Sequence, residues 1–131
     1  MPPVNHPVSG TALVFTLAEE LQTVRAALAR AGARTARTLV KEGALRATLV
    51  GLAPGGELKE HRADGPITVH VLEGEVTFTA EGIDRALAAG SLLSLAPGIT
   101  HAVKSAQGGI FLLTVAAALP PVLTQITSDR A

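Results

Sequence analysis

Histidine is the residue type in this sequence with the clearest capacity for chemistry, and the chain contains four: His6, His61, His70 and His101. Neutral imidazole nitrogens bind iron, manganese, nickel and zinc, and imidazoles exchange protons near neutral pH. Two of the four lie in the stretch HRADGPITVHVLEGEVTF, residues 61–78, in which Leu-Glu-Gly separates two apolar runs. Histidines on a strand that leads into a tight turn are typical of a metal site in a small β-barrel.

Other common catalytic groups are absent from the sequence or lack partners. The chain has no cysteine, which excludes disulfides, thiolate metal sites and a cysteine nucleophile. No G-x-S-x-G pattern occurs, and Ser91 and Ser94 have no base next to them, so a serine hydrolase is disfavoured. The phosphate-loop pattern G-x-x-x-x-G-K-[ST] is also missing. The histidines are therefore the best candidates for a functional site.

The composition indicates one folded domain. The 131 residues suit a single domain, and 47% of them are apolar while 17% are charged, which argues against disorder. With no tryptophan or tyrosine and three phenylalanines, the core must consist of leucine, valine, isoleucine and alanine. The 11 basic residues are balanced by 11 acidic ones, so we expect no nucleic-acid partner.

The sequence contains no candidate membrane span. Its most apolar stretch, residues 109–123, is broken by Pro120 and Pro121 and falls short of the ~18 apolar residues that a span requires. The proline-rich residues 1–14 lack the basic segment of a secretory signal, and we expect them to form an irregular arm with His6 in solvent. We therefore expect a cytoplasmic protein without a membrane partner. The richness in alanine, glycine and arginine points to a bacterial source.

An amphipathic helix is predicted over residues 15–32. Thr16 and Glu19 form the T-x-x-E pattern of a capping box, and Gly32 stands where a helix commonly ends. Because this helix has a single apolar stripe, it must pack on another element. The stripe consists of Leu17, Leu21, Val24 and Leu28.

Residues 38–117 predict an antiparallel β-sandwich or barrel. Short runs rich in valine, leucine, isoleucine and threonine alternate there with glycine and proline, as at the breaks 53–56, 73–74 and 96–98. No βαβ alternation occurs, because the only clear helix precedes the strands. The remaining residues, 118–131, are predicted to form a C-terminal tail.

The spacing of glycine and histidine in one stretch follows the pattern G-x5-H-x-H-x3-E-x6-G. Gly55 is followed after five residues by His61, and Gly74 closes the pattern. Between them, Ala63 takes the position of the second histidine and Ile67 that of the glutamate. The spacing is therefore kept throughout, while two of the polar positions hold apolar residues.

A second pattern, G-x5-P-x-G-x2-H-x3-N, follows the first along the chain. Gly90 opens it, and Gly98 and His101 match it. Ala96 and Ser105 occupy its proline and asparagine positions. Together and in this order, the two patterns resemble the first and second motifs of the cupin family of small jelly-roll barrels, and the resemblance covers roughly residues 38–117, most of the chain.

The resemblance implies an all-β fold, a double-stranded β-helix or jelly-roll barrel of the cupin type, preceded by the one N-terminal amphipathic α-helix. In metal-binding cupins, three histidines and one glutamate converge inside the barrel and leave positions open for substrate or oxygen. This chain keeps His61 and His101 of that set. Two imidazoles would hold a divalent metal (Fe, Mn, Ni or Zn) only weakly. An alternative is that the pair binds no metal and hydrogen-bonds to itself, to the backbone or to water.

Strand alternation separates the remaining candidates. If Ile67 faces the barrel interior, Val69 does as well, whereas His70 faces the second layer, the helix or a subunit partner. On the preceding strand, alternation puts Glu57 on the face of His61. Glu57 is therefore the best substitute carboxylate, and His70 is a weaker candidate for an auxiliary ligand. A ligand pocket inside the barrel would be lined by Ala63, Ile67, Val69 and Val103.

These features favour a small-molecule-binding or regulatory cupin barrel with no certain cofactor. One alternative is a metal-dependent oxygenase or isomerase in which water, Glu57 or His70 completes the shell of His61 and His101. Another is a structural barrel that dimerises and presents its helix or arm to a second protein. Because small jelly rolls often pair through sheet edges and N-terminal segments, we expect a homodimer. Since cupins have very different functions, the sequence does not name the ligand.

Overall fold

The computed structural model of the chain describes residues 6–116, which form one helix and eight antiparallel strands. The predicted tail, residues 118–131, lies outside the described residues. The first strand begins earlier than the sequence predicted, at Arg34 instead of residue 38. In chain order, the elements are α1 Leu17–Ala31, β1 Arg34–Glu42, β2 Leu45–Leu52, β3 Glu57–His61, β4 Ile67–Ala80, β5 Ile83–Ala88, β6 Leu92–Leu95, β7 His101–Lys104 and β8 Gly109–Ala116.

The strands form two sheets that share the long strand β4. The first sheet has the order β1-β2-β8-β4-β6 and uses residues 67–74 of β4. The second has the order β5-β4-β7-β3 and uses residues 75–80 of β4. Two antiparallel sheets curled around one core are the arrangement of a jelly-roll barrel. The fold class implied by the family resemblance is therefore confirmed.

Strand β4 passes from one sheet to the other through a β-bulge. The sequence predicted two strands separated by a turn at residues 73–74, and this prediction is wrong. Across from β8, Val71 pairs with Phe111 and Glu73 with Ile110, so Leu72 is the extra residue. The bulge keeps the chain extended and changes which residues face inward, because one inserted residue inverts the alternation. The buried residues of β4 are Ile67, Val69 and Val71 before the bulge and Val76, Phe78 and Ala80 after it.

The bulge depends on glycine at position 74. Gly74 has a φ of 70°, a conformation that residues with a Cβ rarely adopt. A Cβ added there would lie 2.2 Å from the carbonyl oxygen of Gly108. The first motif of the sequence therefore ends in glycine because two backbone segments meet at that point.

The barrel encloses an apolar cluster that both sheets contribute to. Aliphatic side chains dominate this inner cluster, as the composition required, and two of the three phenylalanines join it. Burial of this surface is the main favourable contribution to folding. The inner cluster consists of Val50, Leu52, Ile67, Val69, Val71, Val76, Phe78, Ala80, Val103 and Phe111.

Helix α1 covers the outer face of the first sheet. Val24 is 1% exposed and packs with Leu39, Leu49 and Ile110 in a second cluster. Gly51 of β2 leaves room for this valine, because a Cβ at position 51 would lie only 2.8 Å from Cγ1 of Val24. Both faces of the first sheet are thus buried, which explains why β2 and β8 are apolar at most positions.

The helix ends agree only in part with the sequence pattern. Gly32 ends the helix with a φ of 94°, and its N–H donates to the carbonyl of Leu28 at 3.0 Å. At the other end, Thr16 makes no side-chain capping bond, so the predicted capping box is wrong. Instead, the main-chain carbonyl of Thr16 accepts from the N–H of Glu19 at 3.0 Å and from that of Glu20 at 3.1 Å.

Residues 6–14 have no regular secondary structure but contact the edge of the first sheet. The N–H of Lys41 donates to the carbonyl of Val8 at 2.7 Å, and that of Gly10 donates to a carboxylate oxygen of Glu42 at 2.8 Å. The expectation that His6 is solvated is wrong. Its ring packs edge-on against that of Phe15, with ring centroids 5.1 Å apart, and its Nε2 atom is buried.

Candidate functional site

The two motif histidines lie opposite each other in the second sheet. His61 ends β3 and pairs with His101, which begins β7. Their ring centroids are 4.3 Å apart, and the ring planes meet at 65°. The structure therefore brings together His61 and His101, the two histidines that the family resemblance selected.

A second β-bulge places His61 on the face of His101. Leu58 pairs with Val103, and both side chains pack in the barrel interior. Regular alternation would then turn His61 outward. The register shifts between Leu58 and His61, so one extra residue of β3 returns the imidazole to the inner face. The expectation that Glu57 shares a face with His61 is therefore wrong.

Both imidazoles are oriented by the backbone in the same way. Nδ1 of His61 lies 2.7 Å from the carbonyl oxygen of Lys59, and Nδ1 of His101 lies 2.9 Å from that of Ile99. Because a carbonyl only accepts, each Nδ1 carries the proton and donates it. In the neutral ring, Nε2 then holds a free lone pair, which can accept a hydrogen bond or bind a metal.

The two rings differ in their environment. His101 is 4% exposed, and its ring stacks on Phe78 with centroids 5.2 Å apart and 15° between the planes. Burial lowers the pKa of His101 below its ordinary value, the bond to the Ile99 carbonyl opposes this effect, and the charge of His61 lowers it further. His61 is exposed at the surface. The pair thus combines a buried, neutral imidazole with one that solvent reaches.

The positions of the two lost motif ligands are apolar and well packed. Ile67 is 3% exposed and belongs to the inner cluster, and Ala63 packs against it. The carbonyl of Ala63 accepts a hydrogen bond from the N–H of Gly98 at 2.9 Å, which links the two motif loops. The interior beside the histidines therefore offers no polar side chain at either position.

The two auxiliary candidates lie elsewhere. Glu57 is exposed and pairs with Lys104, on the face of β3 opposite to that of Leu58. His70 is half-buried between Leu112 and Leu92 on the outer face of the first sheet, as alternation predicted. A role for Glu57 or His70 as a metal ligand stays a prediction, and these positions do not favour it.

The donor set does not fit a tightly held metal. Within residues 6–116, no group of three or more His, Asp or Glu side chains is placed to bind one ion. Structural and catalytic sites for divalent transition metals generally use at least three protein ligands. His61 and His101 supply two nitrogen donors, and the rest of a shell would have to come from water or a ligand.

The residues predicted to line a ligand pocket are part of the core. Val69 and Val103 are 1% and 3% exposed and pack with Ile67 in the inner cluster. Their role in contacting a ligand stays a prediction. Such contact would use the side of the cluster nearest the histidines, where His101 covers Phe78.

Sequence reasoning missed Phe78 and the role of Ser105. Phe78 could have been found only by knowing that the bulge in β4 turns even-numbered residues inward. Ser105 stands at the asparagine position of the second motif and is 1% exposed. Its hydroxyl donates to the carbonyl of Glu75 at 2.5 Å, so it connects the end of β7 to β4.

Solved structures of other proteins share this fold. A conserved protein of unknown function from Streptococcus pyogenes is 25% identical, with a TM-score of 0.68 over 92% of this chain and 98% of that one. A cupin-2 domain protein from Shewanella frigidimarina is 14% identical, with a TM-score of 0.65 over 79% of this chain and 94% of that one. A cupin 2 conserved barrel domain protein from Leptotrichia buccalis is 28% identical, with a TM-score of 0.62 over 65% of this chain and 41% of that one.

No curated protein is significantly similar to this chain. The single helix within residues 6–116 is too short and too polar to cross a membrane. Residues 48–115, which run from β2 to β8 and contain both histidines, match the cupin domain family. The motif spacing, the two curled sheets and this match agree, and the chain belongs to the cupin domain family.

Proposed function

We propose that this protein is a small-molecule-binding or regulatory cupin barrel that works without a tightly held catalytic metal. The observation that supports this most directly is the pairing of His61 with His101, whose ring stacks on Phe78 of the apolar inner cluster. Two oriented imidazoles adjoin an apolar interior, and a few polar groups in an apolar surrounding are typical of small-molecule sites.

The chemistry of the pair suits a ligand with a hydroxyl group and an apolar body. With Nδ1 bound to a carbonyl in each ring, the Nε2 lone pair of a neutral imidazole accepts a hydrogen bond from a phenol or an alcohol. Ile67 makes the adjoining interior drier than a glutamate would. A divalent cation without a full set of donors would be costly to bury there.

Thermal unfolding with a panel of phenols, alcohols and small carboxylates tests this proposal. A ligand that binds only the folded state stabilises it by mass action, by about 2.7 kcal/mol at a ligand concentration of 100 Kd. The midpoint temperature of unfolding rises as a result. We expect at least one phenol or alcohol to raise the midpoint of the wild type and to lose this effect in His61→Ala. The control His70→Ala should keep it. A panel that leaves the wild-type midpoint unchanged would refute the proposal.

A metal-dependent oxygenase or isomerase is the second candidate. It is supported by the Nδ1 bonds to carbonyls, because metal-bound histidines are commonly oriented by such bonds and present Nε2 to the ion. It would need water, Glu57 or another donor to complete the shell. This candidate requires stoichiometric metal in the purified protein and its loss in His61→Ala.

We also propose that the chain forms a homodimer. Strand β1 lies at the edge of the first sheet and pairs only with β2 among the described strands. Leu45 of β2 and Leu92 of β6 are 46% and 68% exposed in this sheet, and each offers an apolar side chain to a second copy. Light scattering at working concentration tests this point, and a monomer mass would refute it. A stable dimer without any ligand would favour a purely structural role for the barrel.

A further inference from the structure

The open side of the barrel holds a pocket of about 520 Å³. It lies between β5 and β6, the edge strands of the second and first sheets. Its floor is apolar and continuous with the core, because the side chains that form it pack directly against the inner cluster. These side chains are Leu87, Leu93, Leu95 and Ile99. This β5–β6 pocket is separate from the surface on which His61 lies, which contributes no residue to it.

One cation reaches into the β5–β6 pocket. Arg85 of β5 pairs with Phe78 of β4. Because paired residues of neighbouring antiparallel strands share a face and Phe78 faces inward, the side chain of Arg85 starts on the inner face of the second sheet. It is half-buried, and one of its guanidinium N–H groups donates to the carbonyl of Ala80 at 3.5 Å. The other donors of the guanidinium point to no carboxylate of the described residues, whose two ion pairs use Arg25 and Arg37.

An anion would complete this arrangement. A partly buried guanidinium loses hydration without gaining a counter-ion, and a carboxylate that binds it by two parallel hydrogen bonds restores that interaction. The apolar floor beside it would accept a hydrocarbon group, because burying apolar surface there removes it from water.

We propose that the β5–β6 pocket binds a small monocarboxylate with an apolar body, with the carboxylate on Arg85 and the hydrocarbon on the leucine floor. This proposal rests on the proposed binding function and names one class of ligand for it. Glu81 lines the same pocket from the exposed turn between β4 and β5. Its negative charge opposes every anionic group in the pocket, so a ligand with one carboxylate fits better than a dicarboxylate or a phosphate.

The pocket is also linked to His101 through two neighbouring residues, although neither histidine lines it. Ile99 contributes its side chain to the floor, and its carbonyl accepts the bond from Nδ1 of His101. Phe78 of β4 pairs with Arg85 of β5, and its ring stacks on that of His101. A ligand in the pocket is therefore expected to perturb the environment of His101 without contacting His61.

Calorimetric titration of the full chain with hexanoate and benzoate tests the proposal, with hexanamide and benzamide as neutral counterparts. We expect both carboxylates to bind the wild type and the amides to bind at least about tenfold more weakly. Arg85→Gln should weaken carboxylate binding by a similar factor, and Arg85→Lys should keep part of it. Arg46→Gln, which changes an exposed arginine of β2, is the matched control and should bind as the wild type does. Circular dichroism verifies that each variant is folded.

The outcomes distinguish this proposal from the function on which it rests. Carboxylate binding that survives in folded Arg85→Gln would overturn the role of the pocket and leave the binding function standing. So would a wild type that binds phenols through His61 but no carboxylate. Absence of binding by any compound of either panel would overturn both.

Discussion

The rings of His101 and Phe78 lie nearly parallel, with 15° between their planes and 5.2 Å between their centroids. One face of the imidazole is thereby covered by an apolar ring in the barrel core, while the ring also makes an edge-type contact with His61. The positive form of His101 loses hydration in this position, which is the main reason for its lowered pKa. The electrostatics of the site therefore depend on the packing of the core beneath it.

Stability should fall as the pH drops through the range in which unfolded histidine titrates. The pKa of His101 is lowered in the folded state from the ordinary value of 6.5, so just below that pH the unfolded chain binds more protons. The stabilisation is complete above 6.5 and is lost as the pH falls towards the folded pKa. Urea unfolding at a series of pH values from about 7.5 to 5.5 measures this slope.

The matched variants assign the slope to one histidine. His101→Gln should remove most of it, while His70→Gln, on the outer face of the first sheet, should keep it. An unchanged slope in His101→Gln would show that another group carries the pH dependence.

Loosening the contact with Phe78 should raise the pKa of His101. Phe78→Leu leaves a gap beside the imidazole that admits water, so the positive form is less disfavoured. Phe111→Leu also removes a buried aromatic ring from the inner cluster but lies in β8, in the other sheet. NMR titration of the histidine ring protons should show a higher pKa in Phe78→Leu than in Phe111→Leu. Equal values in the two variants would mean that the stacked ring has no specific effect.

Alanine at position 74 should cost much more stability than alanine at position 82. Both glycines have a positive φ, 70° for Gly74 and 72° for Gly82, so both variants carry a backbone cost of about 1–2 kcal/mol. Only at Gly74 does the new Cβ also meet a backbone atom, the carbonyl oxygen of Gly108, since Gly82 has open space around it. Denaturant unfolding should give a much lower free energy of unfolding for Gly74→Ala than for Gly82→Ala. Similar losses would argue against the close approach at the bulge.

Restoring the two missing motif residues should create a metal site. In Ala63→His/Ile67→Glu, the chain regains the donor types of the family pattern next to His61 and His101. We expect this double variant to be less stable without metal, because a carboxylate replaces a buried isoleucine, and to bind Zn²⁺ or Ni²⁺ stoichiometrically.

The same double variant with His61→Ala added is the control. It should lose most of the affinity that isothermal titration measures. A folded double variant that binds no metal would show that Ala63 and Ile67 do not stand where the spacing places them.

The spacing of the motifs made the fold and the histidine pair predictable, because it depends on glycines and histidines at fixed separations. The amphipathic stripe likewise predicted a helix packed on the barrel, with Val24 at the centre of that contact. Alternation placed Ile67 inward and His70 outward correctly, since no irregularity lies between them.

The bulges were not predictable from the sequence. Each adds a residue to one strand. The residue types of β3 do not mark its bulge, and Gly74 of β4 is as compatible with a turn between two strands as with a bulge. In β3 the bulge separates Glu57 from His61, and in β4 it brings Phe78 to the inner face. Both the failed assignment of Glu57 to the face of His61 and the omission of Phe78 follow from assuming unbroken alternation.

Metal content tests most directly the claim that this cupin works without a tightly held metal. The full chain would be incubated with Fe²⁺, Mn²⁺, Ni²⁺ or Zn²⁺, desalted and analysed for metal, alongside His61→Ala. We predict content far below stoichiometric in the wild type and no difference from the variant, because two imidazoles retain an ion poorly. Stoichiometric metal in the wild type that is lost in His61→Ala would contradict the account and establish the metal-dependent alternative.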